Sequence, residues 1–304
     1  MSKKKLVPTL SIIFVAAAIF TVVFYDYSLN ISGNYKIPGT EEDKARDASG
    51  KQLVYIGVIS RYPPNIIYRG YQPILDYLTS KTGYRFELKL SSDYNEAVKM
   101  LIDGQTAAAF LGSYVYVKAH AQYGVIPILK PLNESFEPYS RSVLITKASS
   151  KLYNVKDLKG KKLALPSKES FSGNWLIKYE FSKYNVRESD LAAVEHFPHH
   201  QSVIHQVEMG YFDAGVTREF LIKTMKNRDS LRIILYSDRI STSPIVVAPQ
   251  HDKKIVEAIK STLLEVNRNT PNRAEITKNW DNEFIYGFET AGDSDYDFIR
   301  VISK

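Results

Sequence analysis

The chain has 304 residues with ordinary apolar (44%) and charged (24%) fractions, enough for one domain of two lobes or two small domains with a sizeable core. It contains no cysteine, which excludes disulfides, thiolate metal sites, a cysteine nucleophile and a lipidated cysteine. The net charge of +7 includes the Lys3-Lys4-Lys5 cluster, and the remainder is not gathered into a basic stripe, which speaks against a nucleic-acid partner.

Those lysines precede an uncharged apolar run over residues 6–25. At about 1.5 Å per residue the run reaches roughly 30 Å, the thickness of a bilayer core. Ala16-Ala17-Ala18 offers a small-residue cleavage site, but the apolar run continues past it. Residues 1–25 are therefore expected as a retained single-pass membrane anchor, with a cleaved signal as the alternative. In either case the lysines stay in the cytoplasm and the rest is exported, placing the soluble part in a periplasmic or other extracytoplasmic space. Residues 26–50, with Gly33, Pro38, Gly39 and a charged run, read as a linker.

Residues 53–58 form a buried-strand pattern, ended by the loop 60–64 that contains Tyr62. Residues 71–79 repeat apolar side chains at helical spacing, with Gly83 placed as a C-cap. Residues 84–90 alternate as a strand, and Asp93 caps a helix over 94–102 that Gly104 ends. Residues 107–111 make a short apolar strand, after which Gly112 and Ser113 open a helix through Tyr114, Tyr116 and Val117. Strands follow over 141–147, 162–165, 191–197, 214–216 and 231–236, with a crossing strand over 241–249. One helix starts at His199-His200 and ends at Gly210, and residues 253–267 form an amphipathic helix. Trp280, Phe284 and Phe288 are expected in the core. Strands alternating with helices at this spacing argue for parallel α/β sheets.

The most informative stretch is DLKGKKLALPSKESFSGNW, residues 157–175. A polar turn feeds a short strand, Pro166 stops it, and Ser167, Ser170, Ser172 and Gly173 precede apolar residues at helical spacing. Such a strand–loop–helix points backbone N–H groups and the positive end of a helix dipole at one spot, which suits an oxyanion. The plainer reading is that Ser170 or Ser172 caps the helix.

Residues 93–116 and 200–221 match in form: a capped helix, a glycine stop, a short apolar strand, then a polar loop before another helix. Two similar lobes facing each other would produce this echo. Ligands of open α/β sheets sit outside the carboxyl ends of strands. Here those ends are Ser113-Tyr114, residues 167–173, Thr217-Arg218 and His199-His200.

Enzyme signatures are missing, including the G-x-S-x-G elbow, the P-loop and G-x-G-x-x-G. His196, His199, His200 and His205 invite a metal reading, but His200 and His205 are five apart, a poor match to paired zinc ligands on a helix. No metal, no cofactor and no catalysis are expected. Asp213 is expected to brace its own turn.

In order and spacing, GVISRYPP, SDY (92–94), FLGSYVYVKA (110–119), DLKGKKLALP with SFSG, HHQSVIHQVEMGYFDAG and YDFIR (296–300) resemble the phosphonate/phosphite/phosphate-binding proteins of bacterial ABC importers, a branch of the type II periplasmic binding proteins. The resemblance runs over about residues 53–302 and implies two α/β lobes joined by crossing strands and closing on a small anion. It implies residues 51–140 with 243–304 as one lobe and 141–242 as the other. Ser170, Ser172 and Gly173 match the family's S-x-S-G loop, His200 its histidine, and Tyr94 and Tyr116 its first-lobe tyrosines. The resulting ligand-binding set is Ser170, Ser172, Gly173, His200, Tyr62, Tyr94, Ser113, Tyr114, Tyr116 and Thr217. Departures are Phe171 in place of a smaller residue, Ala107 where an Asp is common, and Arg218, which either adds a cation for a more anionic ligand or pairs with Glu219. The expected function is capture of a small phosphorus oxyanion for an ABC permease. The alternative is a sensor signalling to a partner kinase or cyclase.

Overall fold

The computed structural model describes residues 50–303; the expected anchor and all but the last residue of the linker lie outside them. Among the described residues no helix is long and apolar enough to cross a membrane. The chain runs through β1 (Gln52–Val58), α1 (Pro64–Lys81), β2 (Tyr84–Leu90), α2 (Tyr94–Ile102), β3 (Ala108–Phe110), α3 (Ser113–Tyr123) and β4 (Ile126–Pro131). The short β5 (Tyr139–Ser140) leads to β6 (Ser142–Lys147), β7 (Lys162–Leu165) and α4 (Ser172–Trp175), which continues through a π turn (Leu176–Glu180) into α5 (Phe181–Lys183). Next come β8 (Ala193–His196), α6 (His200–Met209), β9 (Ala214–Arg218), α7 (Glu219–Thr224) and β10 (Leu231–Tyr236). A second short strand, β11 (Ile240–Ser241), returns the chain to β12 (Ile245–Val247), α8 (Lys253–Leu264), α9 (Arg273–Ile276), β13 (Phe288–Thr290) and α10 (Asp297–Ser303).

Two lobes follow, each on one sheet. The first sheet has the order β13-β4-β12-β3-β1-β2 and the second β10-β6-β9-β7-β8. β5 and β11 pair antiparallel with each other as the two crossing segments. The sheets are mixed, which corrects the expectation of parallel ones. β1 pairs parallel with β3, and β7 with β8 and β9, because helices return the chain between them. β12 instead runs antiparallel to β3 and β4, and β6 to β9 and β10.

The expected elements recur with instructive shifts. α1 starts at Pro64, well before the apolar periodicity, because proline at the first helical position loses no hydrogen bond there. Its C-cap is Thr82 in an extended conformation, so Gly83 does not serve as the cap. β4 was hidden by Pro127 and Pro131. The first lobe's core gathers Tyr71, Phe110, Phe284 and Phe288, with Tyr71 edge-on to Phe110 and Phe284 at 5.1 Å between centroids. A second apolar cluster contains Tyr114 and Val117 from one lobe together with Leu163, Leu165 and Trp175 from the other, so core packing runs across the lobes.

Candidate functional site

The loop after β7 is fixed by backbone contacts before any ligand is considered. A Cβ on Gly173 would clash with the Ser167 carbonyl oxygen and lie 2.8 Å from that of Pro166, so glycine is required where the helix start folds onto the loop. Ser170 Oγ donates to Ser167 O at 2.8 Å and accepts the Gly173 N–H at 3.0 Å. Ser170 therefore makes the capping contact, and both its proton and the Gly173 N–H are spent within the loop. Ser172 differs. Its Oγ lies 2.6 Å from Ser142 Oγ on β6. One hydroxyl proton joins the two oxygens, leaving the other for a ligand. The N–H groups of Phe171 and Ser172 have no hydrogen-bond partner among the described residues.

These groups line a cavity of about 50 Å³ between the lobes, room for roughly three to five waters or one small oxyanion. The first lobe contributes Ile59, Arg61, Tyr94, Ser113 and Tyr114. The second contributes Ser142, Ser170, Phe171, Ser172, His200 and Arg218, and the crossing segments Ser140, Arg141 and Ile240.

His200 opens α6 and is 5% exposed, its Nδ1 3.4 Å from Thr217 Oγ1. Burial, reinforced by the positive charges of Arg218 and Arg61, lowers its pKa to about 3. The imidazole is therefore neutral at pH 7 and offers a single N–H. Its neighbour His199 packs against the backbone of Ser60 and Arg61 from the opposite lobe.

The strongest electrostatic feature lies along one wall. Arg61 Nη1 reaches Glu283 Oε2 at 2.6 Å, and Arg218 Nη2 reaches Glu283 Oε1 at 2.6 Å. Burial pushes the Glu283 carboxyl up, but Arg218 and Arg61 outweigh that and hold it at about 2. These two guanidiniums share one carboxylate, with the Asp281 carboxyl close by and pushed up by burial, and Arg141 on the cavity wall, in no ion pair among the described residues, leaves the cleft with surplus positive charge. The Nε of Arg61 is buried without a partner among the described residues. Arg218 thus pairs with Glu283, whereas Glu219 pairs with Lys223 at 2.9 Å.

Of the residues singled out from sequence, Ser170, Ser172, His200, Tyr94, Ser113 and Tyr114 meet in this cavity. Tyr62, Gly173, Tyr116 and Thr217 are not among its walls. Tyr62 is fully buried and its hydroxyl has no partner among the described residues. The Tyr116 ring packs on Tyr296 and its hydroxyl bonds Asp293. Asp213 accepts the Lys162 N–H at 2.8 Å, bracing the edge of β7 rather than its own turn. Arg61, Arg141 and Ser142 line the cavity without having been singled out, and Glu283 pairs behind it. A larger cavity of about 520 Å³ shares Ser140, Arg141 and Arg218 with the small one, and none of the ten residues of the expected ligand-binding set lines it. Among the described residues no group of three metal-ligating side chains is present.

The sequence profile described as "ABC transporter, phosphonate, periplasmic substrate-binding protein" matches residues 56–296. The chain is 24% identical over 292 residues to the phosphate-import protein PhnD of Mycolicibacterium smegmatis, covering 87% of this chain and 89% of that one. It is similar in fold to the binding-protein component of an ABC phosphonate transporter from Pseudomonas aeruginosa (TM-score 0.72, 17% identity, 83% of this chain and 85% of that one). It is likewise similar to PhnD1 of Prochlorococcus marinus in complex with methylphosphonate (TM-score 0.71, 18% identity, 82% and 96%).

Proposed function

This chain belongs to the periplasmic substrate-binding proteins of phosphonate ABC transporters, and we propose that its cleft captures one small phosphorus oxyanion and presents it to the permease. The observation that carries this reading is the Ser172 start of α4. There a hydroxyl proton of the Ser142–Ser172 pair and two unpartnered N–H groups adjoin a cavity of one-oxyanion size with surplus positive charge. Neutral donors and guanidiniums are what a phosphoryl group's oxygens need, since each accepts hydrogen bonds and together they carry negative charge. Neutral His200 adds one N–H, and Tyr94, Ser113 and Tyr114 form the facing wall. The similar phosphate-import protein and the similar structure in complex with methylphosphonate fit the same chemistry. The apolar run over residues 6–25 supports tethering to the membrane, with the binding lobes outside the cytoplasm.

Calorimetric titration of the full chain with inorganic phosphate, phosphite and methylphosphonate tests the assignment. Ser172→Ala removes one hydrogen bond to a charged ligand and is expected to weaken binding by about 10- to 100-fold. The melting temperature without ligand should stay within a few degrees of the parent. Unchanged affinity in Ser172→Ala would remove Ser172 from the cradle.

A further inference from the structure

The charged groups at the cleft are unequally partnered. Arg61 and Arg218 share Glu283, and Glu169, the one acidic residue among the walls, is bound by Lys118 at 2.6 Å. Arg141 is different. It is half-buried on the crossing segment, forms no ion pair among the described residues, and its guanidinium lies over the Tyr236 ring at 5.8 Å. Three guanidiniums thus meet the cavity, while Glu169 and Glu283 are already engaged and Asp281, near Arg61 and Arg218, is not among the walls and accepts the Glu283 N–H. Resting on the oxyanion reading above, we infer that the cleft selects a phosphorus oxyanion with no cationic group, and that Arg141 is the residue that sets this preference.

Two independent observations converge on this. The first is charge: an ammonium on the ligand would find no free carboxylate and would face the guanidiniums of Arg61, Arg141 and Arg218 across a low-dielectric cavity, where like charges repel strongly. The second is volume. About 50 Å³ walled by Ile59, Phe171 and Ile240 seats a phosphoryl group with little more than a methyl substituent, and the larger cavity that shares Arg141 and Arg218 gives a longer tail no unpaired carboxylate, since Glu134, Glu137, Glu219 and Glu283 are each bound by a cation. An oxyanion without a cation instead satisfies the surplus charge, and Arg141 gains the counter-ion that the protein does not provide.

The test is a calorimetric panel on the full chain with methylphosphonate and 2-aminoethylphosphonate, which share a head group and differ in the ammonium tail. The expected result is at least about tenfold tighter binding of methylphosphonate. Arg141→Gln should lose about tenfold in methylphosphonate affinity and narrow the gap between the two ligands, while Arg141→Lys, which keeps the charge, should retain most of both. Equal affinities in the parent chain, or equal losses for both ligands in Arg141→Gln, would overturn the preference and leave the oxyanion assignment standing. Binding of neither ligand nor of inorganic phosphate by the parent chain would overturn both readings together.

Discussion

A histidine enclosed by protein and flanked by two guanidiniums resists protonation, and His200 is in that position. Its folded pKa of about 3 lies below the ordinary 6.5, so below pH 6.5 the unfolded chain binds the extra proton more readily. The neutral ring therefore contributes stability that is complete above pH 6.5 and is lost as pH falls toward 3. Glu283, held at about 2 rather than 4.5, begins to cost stability only below 4.5. Between those values the histidines dominate, with half-buried His199 lowered as well. The melting temperature should fall between about pH 7 and about pH 5, and less steeply in His200→Gln. Equal slopes in the two proteins would mean the imidazole takes up its proton within the fold. Residue-level legibility followed side-chain periodicity. Thr217 and Arg218 are neighbours on β9, so they point to opposite faces, and Arg218 is the one that reaches the cavity. Tyr114 and Tyr116 are two apart on α3, so only one can face the cleft. The motif pointed to a strand end and a helix that both reach the cavity, while which face of each does so follows from packing that no motif encodes.

At the scale of elements, His200 is placed by how closely α6 lies on the second sheet. That closeness depends on Gly215 in β9, where a Cβ would come within 2.6 Å of Val203 Cγ1 and 2.9 Å of Val207 Cγ2. Gly215→Ala should lift α6, destabilise the fold by about 1–3 kcal/mol and weaken ligand binding through the displaced imidazole. Adding Val203→Ala opens the space again and should recover part of both losses, measured by denaturant unfolding and calorimetry. Without recovery, the contact would not be the cause. Helices with clear apolar periodicity, such as α2 and α8, were legible because one face is buried and the other wet. β4 was not, since its two prolines imitate a loop while backbone pairing to β12 and β13 makes it a strand.

At the scale of the whole molecule, the lobes are drawn together by contacts that span the cleft: Arg218 to Glu283, Lys118 to Glu169, Lys178 to the Tyr114 hydroxyl at 3.4 Å, and Tyr179 edge-on to Phe298. The exposed Lys118–Glu169 pair is worth about 0–1 kcal/mol. Glu283 matters more, because removing it strands two buried guanidiniums. Glu283→Gln should cost about 3–5 kcal/mol and loosen the lobes, seen as a lower melting temperature and a larger radius of gyration by small-angle scattering. An unchanged melting temperature would show that Arg218 and Arg61 find other partners. This network was invisible in the sequence because Arg61 and Glu283 are 222 residues apart. Local patterns report local structure, and an ion pair closed by the return of the chain leaves no periodic trace.

The position of β12 has a consequence for how the protein is made. It lies between β3 and β4, yet the ribosome produces it only after every strand of the second sheet has emerged. During synthesis the later-encoded lobe can finish first, while β3 and β4 wait with bare edges for a partner still to come. Export of an uncompleted chain, or a nonsense codon shortly before residue 245, would therefore release a sound second half joined to a sticky, unfinished first half.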